Sequence, residues 1–331
     1  MSDKIYSLDP LPTGLTQEIL NRINTQQFSF ITPEKDAYWE DHRQHLMDTS
    51  ILIHSSTDIT EDILDNAPRL KLIIKYEMRP GRVNLEQLLI RKIIYAKVPC
   101  MALISVAEFT VMMILVQARE FIKAYEGVKN ETWLPGLQPM LTTQTKYPYN
   151  WVKLEKSFSL AQKTVGIIGM GIVGKAVARF LQPFGMKVVY NDIYRLPEKE
   201  EKLLNLSFLP LDELFVTSDF ITVHLKHNDK TEGIIGEKEF NLIKPGAFFI
   251  NTSRGRVVDE KALIDVLNRK AIAGAALDVY WYEPIHSDSP LRTLDNVILT
   301  PHIAGIPLDA NAGMEADLIF EAIENHYPKT A

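Results

Sequence analysis

The stretch TVGIIGMGIVGKAVARFLQPFG, residues 164–185, passes from an apolar strand through a glycine turn into a helix. Gly169, Gly171 and Gly174 form the pattern G-x-G-x-x-G at this turn. We expect the first glycine to permit the tight turn, the second to let the backbone approach a pyrophosphate, and the third to let the helix pack on the strand. Unpaired N–H groups at the start of the helix favour the anion. The stretch therefore predicts a dinucleotide site on a parallel sheet.

A carboxylate follows at the end of the next predicted strand, where KVVYND places Asp192. Glycine turns are common, so the motif gains weight from its strand–turn–helix context and from this acidic residue. Asp192 is suited to accept hydrogen bonds from both ribose hydroxyls and to repel a 2'-phosphate. The cofactor predicted is NAD rather than NADP.

Short apolar runs alternate with helix-like segments along most of the chain, which predicts parallel sheets with helices on their faces. Thr60 and Ser105 are the predicted N-caps of two of these helices, Ser105 with Glu108 as a capping box. A length of 331 residues favours two domains. Strands are predicted within residues 28–32, 50–55, 71–75, 92–98, 164–169, 187–191, 220–225, 247–252, 273–279 and 296–301.

The composition predicts a globular cytoplasmic protein that binds neither nucleic acid nor membrane. A net charge of -6 and a pI near 5.8 argue against a nucleic-acid binder. Cys100 is the one cysteine, so we expect no internal disulfide, no cysteine-rich metal site and a reducing compartment. The apolar run Val111–Val116 is too short to cross a bilayer.

A long apolar helix from Ser105 is predicted to be buried as a spine between two domains. The segment 125–155 follows it and is irregular, with Trp133, Tyr147 and Tyr149 among its aromatic residues. We expect the aromatic residues of this segment to pack against a protein surface. That surface belongs either to a second subunit or to the same subunit.

Polar residues follow several predicted strands of the second half of the chain. In an open parallel sheet, ligands bind outside the carboxyl ends of the strands, so these groups are expected to converge on one crevice. His302 is suited to be a general acid–base, Glu283 to hold its imidazole, and Arg254 to pair with a carboxylate and polarise a neighbouring carbonyl. The residues at the strand ends are His224, Arg254, Asp278, Glu283 and His302.

These segments carry a family resemblance that is collinear from about Pro68 to Ala322. GIIGMGIVG with Asp192, INTSRGRVVDEKALIDVL, AGAALDVYWYEP and NVILTPHIAG resemble the signatures of D-2-hydroxyacid dehydrogenases. The family includes phosphoglycerate, D-lactate and glyoxylate/hydroxypyruvate enzymes. The resemblance implies an NAD-dependent oxidoreductase acting on a D-2-hydroxy acid or its 2-oxo partner, with Arg254, Glu283 and His302 as the catalytic residues.

The resemblance also implies an architecture of two doubly wound parallel-sheet α/β domains. A Rossmann NAD domain, 105–305, is inserted in a flavodoxin-like substrate domain, 1–104 plus 306–331, with the active site in the cleft. It further implies a homodimer formed through the NAD domain and the 125–155 segment. The implied cofactor contacts are Gly169, Met170, Gly171, Ile172, Val173, Gly174, Asp192, His224, Thr231, Thr252, Arg254, Asp278, His302 and Gly305.

Two stretches depart from the family pattern. Lys226 stands where the family usually has the proline of H-x-P. The usual G-x-G substrate loop falls on Glu77-Met78-Arg79, followed by Pro80, and Ala102 replaces a usual asparagine. The expected substrate contacts are Tyr76, Glu77, Met78, Arg79, Arg254 and His302.

The rewritten loop leads to a hypothesis about the substrate. Arg79, with Arg82 or Lys75, binds a second anionic group, which makes the substrate a dicarboxylic or phosphorylated 2-hydroxy or 2-oxo acid. Alternatively, these cations face solvent and pair with Glu77 and Glu86. Two other functions also remain open: a non-catalytic NAD(H)-sensing scaffold of the corepressor type, and a family member that oxidises an unusual anion.

Overall fold

The chain forms two units, each built on a parallel β-sheet. The computed structural model describes residues 3–34, 39–79 and 81–327. Unit 1 comprises Met1–Ser105 and Ile306–Ala331, and unit 2 comprises Val106–Gly305. Both sheets are entirely parallel, as the alternation of strands and helices predicted.

Unit 1 is a five-stranded sheet in the order β2-β1-β3-β4-β5, the flavodoxin-like order. Its strands are β1 (Asp3–Ser7), β2 (Phe28–Ile31), β3 (Thr49–His54), β4 (Leu72–Tyr76) and β5 (Ile94–Val98). Its helices are α1 (Thr13–Arg22), α2 (Trp39–Leu46), α3 (Glu61–Asp65), α4 (Leu85–Ile90) and, at the end of the chain, α12 (Ala312–His326).

The two faces of this sheet bury alternate residues of the same strands. Ile51 and Ile53 face a cluster with α1 and α12, whereas Leu52 between them faces a cluster with α3 and α4. Successive side chains of a strand point to opposite faces, so a sheet covered on both sides needs a continuous apolar run. The run SILIH therefore becomes the fully buried strand β3.

Unit 2 is a seven-stranded sheet in the order β12-β11-β10-β9-β6-β7-β8, the doubly wound Rossmann arrangement. Its strands are β6 (Thr164–Ile168), β7 (Lys187–Asn191), β8 (Leu206–Phe208), β9 (Phe220–Val223), β10 (Phe248–Asn251), β11 (Gly274–Leu277) and β12 (Val297–Leu299). Its helices are α6 (Phe121–Lys129), α7 (Ile172–Leu181), α8 (Glu198–Leu203), α9 (Leu211–Thr217), α10 (Glu237–Leu242) and α11 (Glu260–Asn268). The strand order reverses between β6 and β9, which places the ligand crevice at their carboxyl ends.

All ten predicted strands are present, and two further strands were not predicted. The strand β1 was missed because Asp3 and Lys4 do not resemble core residues. Lys4 is nevertheless buried, since its ammonium donates to Asp48 Oδ1 at 2.7 Å. The other missed strand, β8, has three residues at the edge of its sheet.

One of the two predicted helix caps is confirmed and the other is wrong. Thr60 Oγ1 accepts from the N–H of Ile63 at the start of α3. Ser105, by contrast, lies inside helix α5 (Met101–Ala118), and its hydroxyl donates to Ala102 O. The helix begins earlier because Glu315 Oε1 accepts from Met101 N at 2.6 Å and so caps it from a distant helix.

Helix α5 is longer than the apolar run within it. By length and composition its 18 residues would be enough to cross a membrane, although the run Val111–Val116 alone would not. Of this helix, 44% is buried inside the protein, and core helices of soluble proteins pass the same test. The finding is therefore weak evidence for a membrane span.

Candidate active site

The glycine turn between β6 and α7 is packed tightly on two sides and open on the third. Gly169 has φ +95°, and a Cβ there would lie 2.6 Å from His224 O, so a side chain is excluded. A Cβ on Gly174 would overlap Gly169 O. A Cβ on Gly171 would meet no described atom within 4 Å. The residues therefore fit a dinucleotide, because the open side at Gly171 leaves room for a pyrophosphate against the helix N-terminus.

Asp192 lies directly after β7 and reaches back to this turn. Its Oδ2 accepts from Met170 N at 2.7 Å, and its Oδ1 accepts from Tyr194 N at 3.0 Å. Met170 is itself buried. The Met170 N–H thus helps to position Asp192, and a direct contact of Met170 with a cofactor stays a prediction. Ile172 and Val173 keep the N–H groups that open α7.

His302 follows β12 and is held through its ring by Glu283. The distance between His302 Nδ1 and Glu283 Oε2 is 2.5 Å. The other oxygen, Glu283 Oε1, accepts from Tyr280 N at 3.1 Å, which orients the carboxylate. The contact with Glu283 occupies Nδ1 and leaves Nε2 without a partner among the described residues.

Asp278 holds the backbone on which His302 is carried. This buried carboxylate accepts from Thr300 Oγ1 at 2.6 Å, from Ile303 N at 2.9 Å and from Ala304 N at 2.8 Å. His302 has φ +55°, an unusual conformation for a residue with a side chain. Asp278 braces this turn, a role that sequence reasoning did not assign to it.

His224, at the end of β9, is neutral at physiological pH. Burial lowers its pKa from 6.5 to about 3. Its Nε2 lies 3.1 Å from Thr222 Oγ1, whereas its buried Nδ1 has no partner among the described residues. In the loop that follows, Thr231 Oγ1 donates to Lys226 O at 2.6 Å. Lys226 stands at the position of the family's proline, and its carbonyl is held by the Thr231 hydroxyl across the loop.

Arg254 follows β10 and is exposed, and one of its guanidinium N–H groups donates a hydrogen bond within its own loop. Its Nη1 donates to Ser253 O at 2.5 Å, and its own carbonyl accepts from Asn251 Nδ2 at 3.0 Å. The guanidinium therefore keeps most of its donors for a ligand. Thr252, an expected cofactor contact, shares a hydrogen bond of 2.8 Å with Thr110 Oγ1 on α5, so its hydroxyl is occupied.

Comparison with known proteins identifies the family. Residues 111–304 match the NAD binding domain of D-isomer specific 2-hydroxyacid dehydrogenases. Glyoxylate reductase of Thermococcus litoralis is 34% identical, over 83% of this chain and 80% of its own length. Glyoxylate reductase of Korarchaeum cryptofilum is 32% identical, over 84% and 80%. The chain belongs to the D-isomer-specific 2-hydroxyacid dehydrogenase family.

Solved structures agree with this family. The PH0520 protein of Pyrococcus horikoshii is 30% identical with a TM-score of 0.60, covering 98% of this chain and 91% of that one. An acyclic imino acid reductase (Bsp5) in complex with NADPH and D-Arg is 29% identical with a TM-score of 0.57, covering 97% and 96%. The NAD-dependent formate dehydrogenase of Staphylococcus aureus in complex with NAD is 26% identical with a TM-score of 0.53, covering 99% and 97%.

The protein is therefore an NAD-dependent 2-hydroxyacid oxidoreductase. Family membership favours the enzyme over the non-catalytic scaffold, since the relatives are glyoxylate reductases and 2-hydroxyacid dehydrogenases. The prediction of NAD as cofactor is confirmed at the level of the family, whose matching domain binds NAD.

A cavity of about 420 Å³ opens beside the Glu283–His302 pair of this dehydrogenase. Its walls are mostly apolar, and sequence reasoning had not singled them out because isolated apolar residues carry no pattern of their own. Besides the pair, the lining residues are Tyr280, Pro284, Ile285, Arg292, Leu299, Thr300 and Pro301.

The predicted substrate loop follows β4 in unit 1, and its side chains differ in exposure. Tyr76 is fully buried, and its hydroxyl donates to Glu315 Oε2 at 2.8 Å, so its side chain is not available to a substrate. Met78 is partly buried against the core, and Glu77 pairs with Lys97 at 3.4 Å. Arg79 is exposed, and its side chain has no hydrogen bond or ion pair with any described residue. Pro80 lies outside the described residues.

Lys75 does not point to solvent and is not free to bind a substrate anion. The residue is 6% exposed, and its ammonium donates to the carbonyls of Ser55 and Arg79. Burial lowers its pKa below the usual value for lysine. The expectation that Lys75 helps to hold a second anion therefore needs correction, and Arg79 and Arg82 remain as candidates.

Proposed function

We propose that this dehydrogenase interconverts a D-2-hydroxy acid and its 2-oxo acid, and that the acid carries a second anionic group, either a carboxylate or a phosphate. The observation that carries the chemistry is the 2.5 Å contact between His302 Nδ1 and Glu283 Oε2. It orients the ring and leaves one imidazole nitrogen free for the substrate.

In the reduction direction, NADH, when bound, would supply the hydride that reduces the C2 carbonyl carbon. His302 Nε2 donates a proton to the carbonyl oxygen, which becomes the hydroxyl group. Glu283 holds the ring in place through Nδ1 during this transfer. Arg254 pairs with the carboxylate next to the reacting carbon and polarises the carbonyl. An acid–base residue of this kind contributes about 10²–10⁴-fold to the rate.

The proposed cofactor contacts are of two kinds. Backbone N–H groups of Ile172 and Val173, with the open face of Gly171, receive the pyrophosphate, and Asp192 accepts from the ribose hydroxyls. Nearer the reacting carbon we place His224, Thr231, Thr252, Arg254, Asp278, His302 and Gly305. For Thr252, whose hydroxyl is occupied by Thr110, the contact is made by the backbone.

The second anionic group is assigned to Arg79, with Arg82 beside it. Both residues are exposed, and neither side chain is paired with a described residue. The alternative pairing with Glu77 is not supported, because Glu77 contacts Lys97 instead. An unpaired guanidinium at the carboxyl edge of the sheet is suited to bidentate binding of a carboxylate or phosphate.

A substrate panel tests this assignment. NADH oxidation is measured with 2-oxo acids of equal chain length that end in a methyl, a carboxylate or a phosphate group, and formate oxidation is included for the unusual-anion alternative. We expect Arg79→Ala to lower kcat/KM for the dianionic acid by about tenfold, the loss of one charge-assisted hydrogen bond. The methyl-ended acid is expected to change by less than about twofold.

Arg69→Ala is the matched control, because Arg69 is exposed in the same unit but precedes β4 rather than following it. It is expected to leave both activities unchanged. The assignment is wrong if methyl-ended acids are the better substrates and Arg79→Ala changes both classes alike.

We also propose that the protein is a cytoplasmic homodimer formed through unit 2 and the 125–155 segment. The segment exposes apolar and aromatic side chains, with Leu141 92% and Tyr149 85% exposed, and helix α6, which overlaps its start, exposes Phe121 and Tyr125. Apolar surface of this extent on one stretch favours a second copy as its cover. Light scattering on wild type and Leu141→Asp distinguishes a dimer from a monomer.

A further inference from the structure

A buried ammonium joins the loops that follow β3 and β4 in unit 1. Lys75, the penultimate residue of β4, donates through Nζ to the carbonyl of Ser55 and to Arg79 O, the latter at 2.7 Å. Ser55 follows β3, and Arg79 lies in the loop after β4. One side chain thus holds the main chain of both loops, and one of them carries the unpaired Arg79 guanidinium.

The same two loops are pressed together by a glycine. Gly81 N donates to Ser55 O at 2.9 Å. A Cβ at Gly81 would lie 2.5 Å from Ser55 O and 2.7 Å from Thr57 O, so this position requires glycine. Arg82 N donates to Asp58 Oδ1 at 2.7 Å, one residue further along. The loop after β4 therefore lies directly on the loop after β3.

A buried carboxylate fixes the loop after β3 in turn. Asp9 is 6% exposed and accepts from Ser55 N at 2.6 Å, Ser56 N at 3.1 Å and Thr57 Oγ1 at 2.9 Å, and also from the Ser56 hydroxyl. Its negative charge favours the charged form of Lys75 and so offsets part of the burial penalty on the ammonium. Asp9, the loop after β3, Lys75 and Arg79 O thus form one connected set of hydrogen bonds, which we call the clamp.

A methionine would fill the space of Lys75 without burying a charge, so packing alone does not explain the ammonium. The ammonium is bonded to the Arg79 carbonyl, while the Arg79 side chain is exposed. We propose that Lys75 is the positioning residue of the substrate loop, and that it presents Arg79 to the distal anion of the substrate. The inference rests on the proposed function of Arg79, and it concerns a residue that does not itself touch substrate.

The test compares Lys75→Met with Lys71→Met. Lys71 is an exposed lysine next to the same strand, at its opposite end, and is the matched control. We expect Lys75→Met to raise KM for the dianionic 2-oxo acid about tenfold. The values of kcat and of KM for NADH are expected to stay within about twofold. Lys71→Met is expected to leave all three constants unchanged. Equal effects of the two variants on KM would overturn the proposal.

The double variant Lys75→Met/Arg79→Ala tests whether the two residues act together. If Lys75 works by positioning Arg79, the double variant has the same KM for the dianionic acid as Arg79→Ala alone. Independent, multiplicative effects would overturn the proposal. If the wild type shows no preference for a dianionic acid, the proposed substrate class fails. The positioning role then falls with it, because it rests on that class. A wild-type preference for the dianionic acid that Lys75→Met leaves intact would instead reject the positioning role alone.

A second variant guards against misfolding of Lys75→Met. Gly81→Ala keeps the ammonium but pushes the loop off Ser55 and Thr57, and we expect the same rise in KM with an unchanged KM for NADH. Thermal unfolding is recorded for both variants. If both fold and neither alters the KM for the 2-oxo acid, the clamp has no functional role. Lys75→Arg, which retains a charged donor, is expected to restore part of the wild-type KM.

Discussion

His302 is held by two carboxylates that act on different parts of it. Glu283 contacts Nδ1 of the ring at 2.5 Å and orients the ring. Asp278 accepts from the backbone of Ile303 and Ala304 and holds the turn at positive φ. The ring and the backbone of this turn are therefore held by different carboxylates, Glu283 and Asp278.

The first prediction concerns His302 itself. His302→Ala is expected to lower kcat by about 10²–10⁴-fold, since the proton donor is lost, while the dissociation constant for NADH stays nearly unchanged. Stopped-flow turnover and fluorescence titration of NADH measure the two quantities. His286→Ala, an exposed histidine of the same unit, is the control and is expected to retain full activity. An equal loss of NADH binding and turnover in His302→Ala would contradict the assignment.

The second prediction concerns Asp192. Asp192→Asn keeps an oxygen acceptor for Met170 N but removes the negative charge that repels a 2'-phosphate. We expect the ratio of kcat/KM for NADPH to that for NADH to rise by about tenfold, a change of about 1.4 kcal/mol in relative binding. Asp265→Asn on α11 serves as a control for a general charge effect. An unchanged ratio would show that Asp192 does not contact the adenosine ribose.

At the scale of elements, the turn between β6 and α7 combines a packing constraint with an open binding face. Gly174 brings α7 against the turn, because any Cβ there would overlap Gly169 O. Gly171 faces open space. The same motif therefore contains one glycine that packing requires and one that packing among the described residues does not require, and the proposed role of the second in cofactor binding is separable by experiment.

The third prediction uses this difference. Gly174→Ala is expected to lower the free energy of unfolding by about 1–3 kcal/mol, because the added methyl group forces α7 away from the turn. Gly171→Ala is expected to leave the thermal midpoint unchanged and to weaken NADH binding, since the methyl group occupies the space of the pyrophosphate. Calorimetry and NADH titration measure both effects. Equal destabilisation by the two variants would show that Gly171 is constrained by packing as well.

At the scale of the whole molecule, pH acts on folding through buried carboxylates. For Asp9, burial raises the pKa, but hydrogen bonds from Ser56, Ser55 and Thr57 outweigh burial and lower the pKa below 3.8. A lowered folded-state pKa contributes stability that is present above the unfolded value of 3.8 and is lost as the pH falls through the folded value. Ionised Asp9 thus stabilises the protein at neutral pH.

The fourth prediction follows from the stabilising effect of ionised Asp9. Asp9→Asn is expected to reduce the free energy of unfolding by about 1–3 kcal/mol at pH 7, because N–H and hydroxyl donors lose their charged acceptor. The difference from wild type is expected to shrink below pH 3.8 as Asp9 becomes protonated in the wild type. Denaturant titrations at several pH values measure it. A difference that does not depend on pH would assign the effect to packing rather than charge.

Short apolar runs were predicted well, whereas segments whose burial or capping depends on distant charged residues were not. The ten predicted strands are apolar runs bounded by polar or glycine residues, and each is present. The strand β1 was missed because burial of Lys4 depends on Asp48, which lies far along the chain. The start of α5 was misplaced for the same reason, since its cap is Glu315 in the last helix.

The sequence by itself determined the parallel α/β class, the glycine turn with Asp192, and the polar residues at the strand ends. These depend on local periodicity, glycine spacing and residue type, which are read along the chain. Only the tertiary structure decided which of those polar groups are already occupied. The donors of Lys75 are used by Ser55 and Arg79, the Tyr76 hydroxyl by Glu315, and the Met170 N–H by Asp192. The physical reason is that a buried polar group needs a partner, and folding supplies most of these partners from distant segments.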